Sequence, residues 1–502
     1  MPAFSERITY FRISAHWKPV IAILSGLSFL LLCLLAVKFQ LYLVWLVPPM
    51  LLLLIVAFVR IDIFFLLLLF LTPLSVQLRF LVNDPPADIF LPTEIMLFLI
   101  LVIMIFKIFN SKEYDRSAMG HPVTIITGIM LLWMVITTLT GTMIVVSLKY
   151  FLARLWFVGA FYLLAIELFK ERDFIKRSLT ALVAGLVPVV AYHLVGLLKA
   201  GLFNQEAAHI TMWPFFNDHT SFGAALAFII PVLVWLGFGR EGRGIALFSK
   251  VFFAGLLLLF LAGFIFSYSR AAWISLVVAI LFTLALIARI QLKLVISISL
   301  LIIIIVIASW TSIITTLGGN RQSASGNIAE HIMSISNITS DVSNMERINR
   351  WKSALRMISE KPVTGWGPGT YQFKYAPYQF SHERTIISTN FGDRGNAHSE
   401  YLGSAVDSGI PGGILFIMIA AAALATGYRV WRRSDSRYDR GLVLAVQAGL
   451  ITYLFHAFLN NFLDTDKISA PFWIFIAIMV VMDLQLSKRN DPDKSGQDSS
   501  NN

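Results

Sequence analysis

Long apolar runs separated by short polar turns dominate this chain, and runs able to cross a hydrocarbon layer fall at about 19–37, 40–59, 61–80, 89–108, 122–142, 148–168 and 177–200. The pattern resumes at about 218–238, 249–268, 271–289, 292–310, 399–427, 440–460 and 468–486. It predicts an all-α polytopic membrane protein with about fourteen transmembrane helices, twelve or thirteen if the closely spaced first three merge or re-enter. One segment breaks the rhythm. Residues 310–397 form a large polar loop, inside which Ser343 and Glu346 stand in the S-x-x-E spacing of a capping box. Met345, Ile348, Trp351, Leu355 and Ile358 then recur every three or four positions, which predicts an amphipathic helix over 344–360 lying on the membrane surface or capping the bundle. The glycines and prolines of KPVTGWGPGTY, from Lys361, end that helix in a compact turn.

Composition agrees with a lipid-dissolved chain: of 502 residues, 57% are hydrophobic and only 14% charged, which excludes an ordinary water-soluble domain. The net charge of +11 invites a nucleic-acid reading, but its distribution points elsewhere. Lys and Arg gather in alternate connectors, at Arg7–Lys18, Arg60, Lys107–Arg116, KERDFIKR from 170, GREGRG with Lys250, Arg289–Lys293 and YRVWRRSDSRYDR from 428, while the intervening turns are poor in them. This bias predicts that both termini are cytoplasmic, that the large loop is periplasmic, and that no nucleic acid is bound. The N-terminus reads as a retained first span, and the polar tail 487–502 as a disordered cytoplasmic segment. The single cysteine, Cys33, excludes intrachain disulfides and cysteine-rich metal sites.

Polar residues in apolar surroundings supply the candidate chemistry. Arg270, in SYSRAAW between two spans, either binds an anion or snorkels to lipid phosphate. Arg154 stands inside the sixth run, where an arginine is functional or is paired with a carboxylate such as Glu94 or Glu167. On the loop helix Arg347 and Arg350 lie about 60° apart, so they can share an anionic ligand or simply form a solvated basic face. His398 and Glu400 open the span after the loop; a histidine there is a general base or a hydrogen-bonded structural residue. Asp218 and His219 open the eighth span, and N-capping explains much of that pair. No zinc, nucleotide or serine-nucleophile motif occurs, so the expected ligand is anionic and neither metal nor cofactor is required.

Taken together, SYSRAAW, MERINRWKSALRMISEKPVTGWGPGTY and NAHSEYLGSAVDSGIPGGILF resemble the O-antigen ligase and O-antigen polymerase superfamily in order and placement. The resemblance covers about residues 215–430; the earlier spans match only in hydrophobic character. It implies a GT-C-like fold, divided into N-terminal spans 1–210, a catalytic region 211–430 containing the loop, and C-terminal spans 431–486. It also implies an inverting, metal-independent glycosyltransferase of the bacterial inner membrane. Such enzymes move a glycan from an undecaprenyl diphosphate carrier to a lipid A core or a growing glycan. By position, Arg270 and Arg347 would hold the diphosphate and His398 would deprotonate the acceptor hydroxyl. Arg154, Arg350, Asp218, His219 and Glu400 would line the substrate. A flippase for lipid-linked polysaccharide, or a non-catalytic assembly protein, would also want arginines for a lipid diphosphate. A flippase further predicts polar or broken helices at mid-membrane, whereas the unusual charges here gather at the outer turns.

Overall fold

The computed structural model describes residues 47–80, 89–110, 116–239, 247–290, 342–385, 387–389 and 395–489, with residues 38 and 297. The expected spans at 19–37 and 292–310, the early part of the loop and the tail beyond 489 lie outside these. The chain divides into two compact units, Met1–Phe64 and Phe65–Asn502. The first contributes α1 (Val47–Val59) and the start of α2 (Ile61–Leu71), with an Arg60–Asp62 ion pair of 2.9 Å at the joint.

In the second unit α2 does not run on to residue 80 as the apolar pattern predicts. Pro73, which lacks an N–H to continue a helix, opens a 3₁₀ turn over Thr72–Leu74. A two-residue strand, β1 (Val76–Gln77), follows and pairs antiparallel with β2 (Phe90–Leu91). The helices α3 (Thr93–Asn110), α4 (Pro122–Leu139), α5 (Ile144–Leu168), α6 (Arg172–Ala200), α7 (His219–Phe238), α8 (Leu247–Phe266) and α9 (Arg270–Ile287) come next. Beyond the loop helix α10 (Val342–Glu360) lie α11 (Glu400–Arg433), α12 (Arg437–His456) and α13 (Asp466–Arg489). Among the described residues eight helices are long and apolar enough to cross a membrane, and the chain is a mostly helical membrane protein.

At the centre stands α13, buried continuously from Asp466 to Asp483 against α5, α7, α11 and α12. Lipid offers no hydrophobic drive between apolar helices, so close packing and buried polar bonds must hold them together. At one end Arg172 meets Asp439 at 2.7 Å, and Asp483 receives Arg429 at 2.9 Å and His121 at 3.3 Å. At the other end the Asp466 carboxylate accepts from Ser75 (2.7 Å) and Thr93 (2.6 Å) while Lys467 donates to the Ser75 carbonyl (3.0 Å). Acid and base are both buried, and each has a partner of opposite demand.

The loop is built onto α11. Ala354 and Met357 of α10 pack with Tyr371, Tyr375 and Ala397 against Val406 of α11. Met345 and Leu355 of the apolar stripe are exposed, while Glu346, Asn349, Arg350 and Ser353 are buried and meet polar groups of Tyr378, Gln379, Thr385 and Ser388. The helix also starts at Val342, so Ser343 lies within it, and the Glu346 carboxylate is taken by Arg350, Thr385 and Ser388.

A second departure from the sequence pattern lies in α11, which breaks at Ser408 and Gly409 (φ 72°, ψ 175°). Pro411 has no N–H for the Asp407 carbonyl, and the break removes the Ile410 N–H from Val406. The loop turn supplies both missing donors: Trp366 N–H reaches the Val406 carbonyl and Gly367 N–H the Asp407 carbonyl, each at 2.9 Å. In return Ile410 N–H donates to the Pro362 carbonyl at 2.8 Å. The Ser408 carbonyl takes the Trp133 indole N–H of α4 at 2.7 Å. The Gly365-to-Gly369 turn is therefore a plug for a broken helix. Its glycines are needed because a Cβ on Gly365 would lie 2.5 Å from the Gly409 nitrogen and the Val406 carbonyl.

Candidate active site at the loop end of the bundle

Four helix termini and the loop helix converge where α7, α9 and α11 begin and α12 ends. Asp218 caps α7, its carboxylate accepting from Ser221 N–H at 2.7 Å and from the Thr220 hydroxyl. That leaves His219 in the first turn, its ring stacked on His209 with centroids 3.9 Å apart. Arg270 is the first residue of α9 and is half-buried. From α10, Arg347 reaches over to donate to the Leu459 carbonyl (3.3 Å) and to Asn344 (2.9 Å).

His398 sits just before α11 in a left-handed conformation (φ 47°), uncommon for a residue with a Cβ. Two contacts hold it: its N–H donates to Asn396 (3.0 Å) and its carbonyl accepts the Trp351 indole (3.0 Å). Burial, and then the positive fields of Arg347 and Arg350, push the imidazole down to about 3, so it is neutral at physiological pH. The same electrostatics tie Arg347 and Arg270 to His219, and Arg347 to His456. Arg270, Arg347, His219 and His398 thus share one neighbourhood.

The other expected site residues are engaged elsewhere. Arg350 is buried on Glu346 (2.6 Å) with its guanidinium 3.9 Å from the Tyr375 ring centroid, so it points into the loop core although its charge still reaches His398. Glu400 accepts from Tyr453 (2.7 Å), Phe462 N–H (2.8 Å) and Leu463 N–H (2.7 Å), fixing the α12–α13 turn against α11. Arg154, in the third turn of α5, donates to the Leu463 carbonyl (3.1 Å) and to Tyr150 (3.0 Å). Neither Glu94 nor Glu167 appears among these acceptors; Glu167 pairs with Lys170 at 3.0 Å. Arg154 lines a cavity of about 40 Å³ shared with Tyr150, Glu400 and Asp407.

Three participants were not legible beforehand. Asp407 holds the plug by accepting Gly369 N–H at 2.9 Å, but in the sequence it is one polar residue in an apolar run. Asn460 and His456 stand at the end of a span, where NNFLDTDK reads only as a turn. The double asparagine was the one available signal. Among the described residues no group of three or more His, Cys, Asp or Glu side chains is placed to hold a metal ion.

No curated protein matches the chain. Residues 254–417, from α8 through the loop into α11, match the family model described as O-antigen ligase. The chain carries an O-antigen ligase domain. Arg270, Arg347, His398 and the plug all fall inside this O-antigen ligase domain, whereas His219, Arg154, His456 and Asn460 approach it from other helices. The match supports a membrane glycosyltransferase-like role in polysaccharide biosynthesis, and that family implies a lipid-linked glycan and an acceptor as its general substrates.

Proposed function

We propose that the chain moves a glycan from undecaprenyl diphosphate to an acceptor hydroxyl, as an O-antigen ligase or polymerase at the periplasmic face of the bacterial inner membrane. The catalytic region is 211–430, and both termini are cytoplasmic. The observation that supports this reading is that the charges of Arg270 and Arg347 both act on His219, and that of Arg347 also on His398, at the loop end of the bundle. A lipid diphosphate presents its anion at that depth, and guanidinium forks match phosphate oxygens.

Arg270 and Arg347 hold the diphosphate. The acceptor hydroxyl gives its proton to His398 as its oxygen bonds to the anomeric carbon, and the bond from that carbon to the diphosphate oxygen breaks. Charge that builds on the leaving diphosphate is matched by the two guanidiniums, which supply the counter-charge a metal ion provides in other transferases. Attack from the face opposite the leaving group inverts the anomeric centre. Acceptors are a lipid A core in the ligase reaction and a growing glycan in the polymerase reaction. The arginine field that depresses His398 also times it: an anion bound on Arg347 cancels part of that field, so the imidazole gains basicity when the donor is in place.

Purified full-length protein in nanodiscs, given host-extracted undecaprenyl diphosphate glycan and host lipid A core or oligosaccharide acceptor, tests the reading. Arg270→Ala, Arg347→Ala and His398→Gln should each slow transfer by roughly 10²-fold or more. Wild-type rates in all three refute it. Transfer of whole chains onto the core marks a ligase; lengthening of the lipid-linked chain marks a polymerase.

A further inference from the structure

His398 is gripped by its backbone from two sides. Asn396 accepts the His398 N–H at 3.0 Å, closing a turn two residues long, while its own amide nitrogen donates to the Asn461 carbonyl at 2.9 Å. From α10 the Trp351 indole N–H donates to the His398 carbonyl at 3.0 Å. Beyond His398, Glu400 N–H donates to the Ala457 carbonyl at 2.9 Å, so the stretch 396–400 lies against the turn that joins α12 to α13. Between these anchors His398 holds φ 47°, a conformation that costs a residue with a Cβ about as much as one such hydrogen bond is worth. Loss of either bond lets φ return to negative values, and the Cβ swings the ring away with it. Both bonds run to the backbone, so they aim the imidazole without occupying its nitrogens. Trp351 also stands one helical turn from Arg347, which donates to the Leu459 carbonyl of that same α12–α13 turn.

We infer that Trp351 and Asn396 are positioning residues for His398: they aim its imidazole at the acceptor hydroxyl, and Trp351 ties that aim to the turn of α10 that carries Arg347. The base and the grip on the diphosphate then share one frame, and a misplacement of about 1 Å in such an alignment can cost about 10²-fold in rate. The charged groups that act on the His398 ring are Arg347, Arg350 and Glu346 of α10; burial and the two guanidiniums together keep it neutral. A ring that leaves this place sheds both influences and returns toward the ordinary 6.5. A displaced base is therefore protonated, and idle, in mild acid. This inference rests on the proposed role of His398 as the base.

The test runs the transfer assay, and nitrogen-15 spectra of histidine-labelled full-length protein, on Trp351→Phe, Asn396→Leu and Asn396→Asp, with His398→Gln assigning the His398 signal. Trp351→Phe keeps an aromatic ring in place and removes the N–H. At about pH 8 it and Asn396→Leu should lower kcat by about 10- to 100-fold, with donor KM unchanged because Arg347 keeps its bonds. Between about pH 8 and 6 their kcat should fall further while that of the wild type stays level, and their His398 signal should titrate near 6.5 where the wild-type signal stays neutral. Asn396→Asp closes the same turn through its carboxylate and should recover about 10-fold in kcat over Asn396→Leu at about pH 8. Wild-type kcat in Trp351→Phe, a His398 signal that titrates in Trp351→Phe as in the wild type, or an Asn396→Asp as slow as Asn396→Leu overturns the inference. If Asn396→Leu does not fold, Trp351→Phe decides it by kcat and titration together. Undiminished transfer by His398→Gln instead overturns the proposed base, whatever the Trp351 and Asn396 variants do; the spectra read the placement of His398 without any activity.

Discussion

Gly409→Ala should unseat the loop from the membrane bundle. The backbone at Gly409 (φ 72°, ψ 175°) lies in a region open to almost no residue but glycine, and forcing alanine into it costs about 1–3 kcal/mol. The new Cβ would stand 1.9 Å from the Val363 carbonyl oxygen and 2.9 Å from that of Pro362, both backbone atoms that move only if the plug moves. Withdrawal of the plug breaks the Ile410-to-Pro362 bond and strips the Val406 and Asp407 carbonyls of their donors, at about 1–3 kcal/mol for each group left buried and unmet. The sum is roughly 3–9 kcal/mol, large for one methyl group. Unfolding in mixed micelles and proteolysis of the segment 361–389 measure it. Gly128→Ala is the control, for nothing lies within 4 Å of a Cβ there and alanine in a helix interior is worth about 0.5–1 kcal/mol more than glycine. If Gly409→Ala shifts unfolding by less than about 1 kcal/mol and leaves the loop as resistant to protease as before, the plug does not hold the loop.

Two further outcomes follow from the loop core. Arg350→Ala leaves the buried Glu346 carboxylate without its cation and should destabilise the loop by about 3 kcal/mol, while Arg350→Ala with Glu346→Gln should recover part of that loss; equal melting of single and double variants refutes the pairing. Burial works against the Glu346 carboxylate, but bonds from Ser388, Arg350 and Thr385 outweigh it and hold the group below its ordinary 4.5. The unfolded chain then takes up a proton that the folded loop refuses, so the Glu346 contribution is complete above pH 4.5 and lost as pH falls through the lowered value. Protease resistance of the loop should stay level from neutral pH to about 5 and fall below it, and Glu346→Gln should flatten that fall.

The sequence disclosed what repeats and hid what meets. Helices from α4 to α9 follow directly from apolar length, and α10 from spacing, because each depends on neighbours within a few turns. The buried polar face of α10 was hidden for a physical reason: hydrophobic periodicity assumes that the buried face is apolar, and here Glu346, Asn349 and Arg350 are buried among polar partners that include Gln379, Thr385 and Ser388. Arg270, Arg347 and His398 stood out because charge near a lipid boundary is unusual. Asn460 carries no such signal, since its bond to His456 joins a turn to the end of α12 and shows only once the chain has folded. The break at Ser408–Gly409 was likewise invisible, because GIPGG in an apolar run reads equally well as a tolerated kink.

The plug also has a consequence for how this protein is made. A span is normally complete in its hydrogen bonds once inserted, but α11 takes two of its donors from a segment some forty residues upstream, Trp366 and Gly367. Until the loop has folded, the Val406 and Asp407 carbonyls lack these donors. The hydrogen bonding of α11 is therefore completed only when the loop folds onto it.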